Sequence, residues 1–215
     1  MIYAEGKKKP SDAPMTHYKA IYSGLDPMTT SMRTGLDFDG SRSTFSFRCM
    51  GRDYMAGYPD FKLLDGNGEE VKEPWLALLM IRYLCEGKYA PSARGMIAYR
   101  DIPWGDVYQH NFDGRVTGRF LRQFGSDIPM FRKVMEEEPD LKSVALDGCD
   151  AGYRFEFLNG LYISLKIWEG DEEFPPSAQI LFADNFKYAF TAEDVAVVCD
   201  IFIAELGRRK RGAIE

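Results

Sequence analysis

Histidine is nearly missing from this chain. His17 and His110 are the only two among 215 residues, so a multi-histidine metal centre cannot be assembled and no His-Glu-x-x-His helix exists. Cysteine is sparse and scattered: Cys49, Cys85, Cys149 and Cys199 never approach Cys-x-x-Cys spacing, which excludes a zinc or iron–sulfur site built from neighbouring thiolates. A glycine-rich phosphate loop and a Gly-x-Ser-x-Gly elbow are also missing. The longest apolar run, Trp75 to Ile81, is far too short to span a bilayer, and nothing near Met1 has the form of a cleaved signal. Basic charge is in deficit, with 27 Lys and Arg against 33 Asp and Glu for a net charge of −6. A nucleic-acid surface needs the opposite balance. These absences point to a cytoplasmic, reduced protein that binds neither nucleic acid nor membrane.

Apolar residues make up 45% and charged residues 28% of the chain, the usual proportions of a folded soluble domain. At this length a single domain removes roughly 70% of its unfolded surface from water. Residues 1–13 are polar, lysine-rich and aperiodic and read as a disordered tail; residues 14–207 read as one domain, and residues 208–215 as a basic C-terminal end.

The clearest local pattern runs from Tyr153 to Phe182. Tyr153, Phe155 and Phe157 alternate with Arg154 and Glu156, and Leu161, Ile163, Leu165 and Ile167 alternate with Tyr162, Ser164 and Lys166, so two half-buried strands are expected. A two-residue Asn159-Gly160 turn sets Phe157 beside Tyr162 and splits the apolar faces. A three-residue loop, Leu158-Asn159-Gly160, pairs Phe157 with Leu161, Phe155 with Ile163 and Tyr153 with Leu165, and is the expected connection. Ala178 to Phe182 supplies another strand.

Upstream, a helix carries Tyr18, Ile21 and Tyr22. Asp26-Pro27 caps a second, which Gly35 ends, and Asp37 to Ser41 is turn-rich. Thr44 to Met50 and Asp53 to Tyr58 form a second hairpin around Gly51-Arg52, with a short strand at Phe61 to Leu64 and a turn at Asp65-Gly-Asn-Gly68. Pro74 opens a helix bearing Leu76, Leu79, Met80 and Tyr83 that stops at Gly87. Met96 to Arg100 reads as a strand. Asp113 reads as the cap of a helix reaching Phe124, with Phe120, Leu121 and Phe124 inward, and Asp127-Ile-Pro129 starts another. Ser143 to Leu146 is an edge strand. Thr191-Ala-Glu-Asp194 has the form of a capping box for a last helix with Val195, Val198, Cys199, Phe202 and Leu206 on its apolar stripe, ended by Gly207 and the arginines. Hairpins with interspersed helices define the fold class: α+β, with a largely antiparallel sheet covered by helices.

Two segments gather chemistry-bearing side chains. In the acidic loop, Asp171, Glu172 and Glu173 sit between Trp168 and Phe174-Pro175-Pro176. Such carboxylates either hold a hard cation or a raised-pKa proton, or serve as turn and solvent groups. In the second segment Arg100, Asp101, Trp104, Tyr108 and His110 place a guanidinium, a carboxylate, aromatic rings and an imidazole within a short stretch, suited to a planar or anionic ligand. The alternative there is a local Arg100–Asp101 pair with Trp104 in the core.

Ile81-Arg-Tyr-Leu84, Tyr99-Arg-Asp-Ile-Pro103, Tyr108, Phe124-Gly125, the run from Trp168 to Phe182 and Thr191-Ala-Glu-Asp194 together resemble DUF3786, a family of uncharacterised proteins. The similarity covers about Tyr18 to Leu206, and the Trp168 to Phe182 run is its most specific part. The resemblance implies a prokaryotic protein, often from anaerobes, in a family where some members carry a separate iron–sulfur segment. This chain has no such cysteine cluster, so the implied partners include an iron–sulfur protein as well as a small molecule. No activity comes with the family. The expected function is a non-catalytic small-molecule or partner-binding domain accessory to anaerobic metabolism, with ligand contacts from Arg100, Asp101, Trp104, Tyr108, His110, Trp168, Asp171, Glu172 and Glu173. The alternative is a metal-assisted hydrolase using the acidic loop, with His110 assisting.

Overall fold

A computed structural model describes residues 12–92, 95–137 and 139–213. Helices α1 (Asp12–Ser23) and α2 (Pro27–Thr34) lead into strands β1 (Asp37–Asp39), β2 (Thr44–Cys49), β3 (Arg52–Gly57) and β4 (Leu63–Asp65). Helix α3 (Pro74–Glu86), strand β5 (Met96–Ala98) and helices α4 (Gly105–Phe112), α5 (Gly118–Phe124) and α6 (Ile128–Glu136) follow. The chain ends with β6 (Val144–Ala145), β7 (Ala151–Leu158), β8 (Leu161–Trp168), β9 (Ser177–Ala183), α7 (Phe186–Ala189) and α8 (Ala192–Gly212). All the strand pairings are antiparallel, in the order β4-β3-β2-β7-β8-β9-β5, with β1 added to β2 and β6 to β7. The fold is α+β, as the hairpin pattern predicts.

Three of the expected caps form. Asp26 accepts from Thr29 N at 2.8 Å, Asp127 accepts from Met130 N at 3.2 Å, and the Thr191 hydroxyl exchanges hydrogen bonds with Asp194 in a capping box. Each satisfies helix N–H groups that have no carbonyl partner within the helix. Between the layers, Phe155 of β7 meets Phe202 of α8 with ring centroids 5.8 Å apart, and Phe131 of α6 meets Tyr153 at 5.4 Å. All four are buried. A fully buried phenylalanine contributes about 1.5–3 kcal/mol of transfer free energy, so this seam carries much of the attachment of α6 and α8 to the sheet.

Several local expectations need correction. The β7–β8 connection is the two-residue turn Asn159-Gly160, with φ of 39° and 76°, pairing Leu158 with Leu161. A bulge between Glu156 and Leu158 absorbs Phe157, so Phe155 still faces Ile163 and Tyr153 still faces Leu165. The tight turn and the unsplit apolar face are reconciled because the bulge adds one residue to one strand. Likewise Met50-Gly51, with φ of 48° and 79°, is the turn between β2 and β3, one residue earlier than Gly51-Arg52. Asp37 to Asp39, expected within a turn, pair with β2 as β1.

Asp113 does not start a helix. It lies inside a continuous helical run that begins at Gly105 and loosens into a π-turn, Asp113–Thr117, before α5. Gly207 does not end α8, which continues to Gly212; added bulk there would press on the Gln123 side chain at 3.1 Å. Arg209, beyond the expected stop, is buried and donates to Glu205 at 2.9 Å. α1 starts at Asp12, and the rest of the expected tail lies outside the described residues.

Candidate functional site

The two segments singled out by composition are exposed. Arg100 and Asp101 form a single helical turn after β5, where Asp101 accepts from Ala98 N at 2.9 Å. Its carboxylate therefore serves the turn, and no ion pair with Arg100 forms. Trp104 is not in the core: it is 76% exposed and holds a left-handed φ of 69° before α4. Tyr108 and His110 follow on α4, both exposed.

Trp168 ends β8 half-buried, and Asp171, Glu172 and Glu173 are exposed in the loop beyond it. Asp171 Oδ1 accepts from Glu173 N at 2.8 Å and Phe174 N at 2.7 Å. These backbone donors hold its carboxyl below the usual range by favouring the charged form. This is turn chemistry. Among the described residues no group of three or more His, Cys, Asp and Glu side chains could hold a metal ion. No hydrogen bond, ion pair or ring contact among the described residues joins the Arg100–His110 segment to the acidic loop.

The structure gathers a different set of residues on the sheet face opposite α8. The same alternation that sends Tyr153 and Phe155 into the core sends Arg154, Glu156 and Tyr162 outward. Met96 on β5 lies opposite Ala183 on β9, and Glu156 lies opposite Tyr162. The loop carrying Asp140, Leu141 and Lys142, together with Ser92 and Gly95, rises around this floor. They enclose a recess of about 550 Å³, within the size range of small-molecule sites.

Its wall is mixed. Met50, Met96, Leu141, Val144 and Ala183 supply apolar surface, and Arg48, Lys142 and Arg154 supply positive charge against Asp140 and Glu156. The Arg154 guanidinium lies 5.8 Å from the Tyr162 ring centroid. Glu156, two residues along on the same face, accepts from Gly160 N at 2.6 Å. Arg48 is 3.8 Å from Asp140, both side chains being well exposed, a geometry that binds weakly. Ser92 donates to Asp184 at 2.7 Å at the rim.

Two other recesses carry internal ion pairs on their walls. Across the Met50-Gly51 turn, a trough of about 880 Å³ includes Arg52, Glu205 and Arg208, but Glu205 is already clamped by Arg52 at 2.9 Å, Arg208 and Arg209 at 2.9 Å. Glu73 borders this trough, and burial pushes its carboxyl up to about 7. A cleft of about 200 Å³ beside Trp104 and Tyr188 has the Arg82–Asp194 pair, 2.8 Å apart, at its base.

Sequence reasoning missed Arg154, Tyr162, Lys142 and Arg48 as site residues because each occupies a polar position of a strand or loop and reads as solvated surface. The available signal was Tyr162 opposite Glu156, an aromatic ring on the polar side of the strand.

With this geometry in view, the chain falls among uncharacterised domains of α+β fold. The family model described as domain of unknown function (DUF3786) matches residues 26–205, and the protein belongs to that family. No curated protein and no solved structure matches it. Among the described residues no helix is long and apolar enough to cross a membrane.

Proposed function

We propose that the protein is a non-catalytic binding domain whose ligand is a small molecule held in the recess over the outer face of β7 and β8. The observation that carries this reading is the recess itself: about 550 Å³, floored by the sheet and lined by apolar side chains together with Arg48, Lys142, Arg154, Asp140 and Glu156. The chemistry elsewhere supports binding over catalysis. Burial pushes the Cys49 thiol up to about 12 and the Cys85 thiol up to about 11, away from the thiolate a nucleophile needs. Asp171, the centre of the hydrolase alternative, spends one carboxylate oxygen on its own turn. The accessory role in anaerobic metabolism implied by the family resemblance belongs to the same proposal.

A protein partner is favoured by one further observation. Trp104, Val107 and Tyr108 are each more than half exposed on and just before α4, the kind of aromatic surface that anchors interfaces. The test of the small-molecule reading is mass spectrometry of material released on denaturing the freshly purified protein, combined with amide and methyl NMR shifts on adding the identified compounds. Perturbation centred on Met96, Val144 and Tyr162 supports it; perturbation confined to the Trp104 region, or none, overturns it.

A further inference from the structure

We infer that the recess recognises an oxyanion, a carboxylate or phosphate borne on a body with an apolar face, and that Arg154 is the group that reads it. This rests on the proposed small-molecule site and specifies its ligand.

Arg154 has no acid directly across from it on either neighbouring strand. Its cross-strand neighbours are Val144 on β6 and Ser164 on β8, neither of which carries charge. The acid on its own strand face, Glu156, accepts from the Gly160 N–H. Among the described residues Arg154 therefore has no carboxylate partner, and its guanidinium lies against the Tyr162 ring. At 5.8 Å from the ring centroid the guanidinium is within cation–π range, a contact that uses none of its N–H donors in a hydrogen bond. Those donors match the two oxygens of a carboxylate or phosphate in a bidentate pair.

Lys142 adds a second charge. It lines the same recess in a left-handed backbone conformation, φ 48°, that a lysine adopts only when its surroundings impose it. Arg48, on the long contact to Asp140, is the third cation at the wall. Asp140 and Glu156 also line the recess, the first 3.8 Å from Arg48 and the second accepting from Gly160 N, and the apolar lining of Met50, Met96, Leu141 and Val144 sets the apolar face of the ligand.

The experiment is isothermal titration and NMR on the full chain with three probes: 4-phenylbutyrate, phenyl phosphate and the neutral 4-phenylbutanamide. At least one oxyanion probe should bind in the recess at least tenfold more tightly than the amide, and whichever wins names the head group. Arg154→Gln should lose tenfold or more of that affinity with an unchanged thermal midpoint, and Arg154→Lys should recover only part of it, because a point charge cannot pair bidentately. If the amide binds in the recess as tightly as the acids, or Arg154→Gln leaves affinity unchanged, the oxyanion assignment fails while the small-molecule site stands. If no probe perturbs any recess signal, both fail.

Discussion

The side-chain amide of Asn159, in the β7–β8 turn, donates to the carbonyl of Thr34 at the end of α2, 3.0 Å away. The same oxygen accepts from the Tyr83 hydroxyl at 2.7 Å. One buried carbonyl thus joins α2, α3 and the central hairpin, three elements far apart in sequence.

Asn159 serves twice, as a donor and as a residue tolerant of its positive φ of 39°. Asn159→Ala loses a hydrogen bond worth about 1 kcal/mol and adds about 1–2 kcal/mol of backbone strain. Asn159→Gly should lose only the first part. Urea unfolding of both variants separates the two contributions, and equal losses would show that the backbone term is absent.

Asp194 supports both the Thr191 capping box and the Arg82 ion pair, and it is buried. Asp194→Ala leaves Arg82, itself largely buried, without its partner and should cost about 3–5 kcal/mol in chemical unfolding. Asp194→Asn keeps a side chain able to cap α8 but removes the charge, so its loss should fall between alanine and wild type.

Glu73 caps α3 by accepting from Trp75 N at 2.9 Å, yet burial outweighs that bond and pushes its carboxyl up to about 7. The folded state therefore holds this proton more tightly than the unfolded chain does. The associated stability is fully present below the unfolded pKa of about 4.3–4.5 and is lost as pH rises through about 7. Because Glu73 is only partly buried, the effect is discounted to about 1–2 kcal/mol. Between about pH 4 and about pH 9, wild type should lose that much relative to Glu73→Gln, read from paired denaturation curves.

Gly51 turns β2 into β3 at φ 79°, and a Cβ there would sit 2.2 Å from the Asp140 carbonyl oxygen. Gly51→Ala must strain the turn or push the Asp140 loop away, costing about 2–3 kcal/mol. Since that loop walls the recess, the variant should also weaken whatever the recess binds. A thermal midpoint unchanged from wild type would contradict the close approach.

Sequence periodicity carried the central sheet well because Tyr153, Phe155, Ile163 and Leu165 must share a face for either of them to be buried, and only one register permits it. It mistook the turn because a bulge at Phe157 lets a tight turn coexist with that register, and bulges leave little trace in apolar spacing. The helical run from Gly105 was invisible for a different reason: Trp104 is left-handed and exposed, and Asp113 looks like a cap although the helix passes through it as a π-turn. The candidate site was the least legible part. Arg154, Tyr162 and Lys142 come from two strands and a loop, and nothing in their local sequence says that Glu156 accepts from Gly160 N. Segments dense in chemistry, such as Asp171 to Glu173, attracted attention through composition, while their carboxylates serve the local chain.

The two strands at the ends of the main sheet order, β4 and β5, are each three residues long. The outer side of β4 is further covered by its own continuation: Asp65 N donates to Glu69 O, Val71 N donates to Leu63 O, and Leu64 bridges Glu70. Little unpaired backbone is therefore presented to a neighbouring molecule at the β4 end. On that side, crowding at high concentration finds no long edge on which to start a fibril.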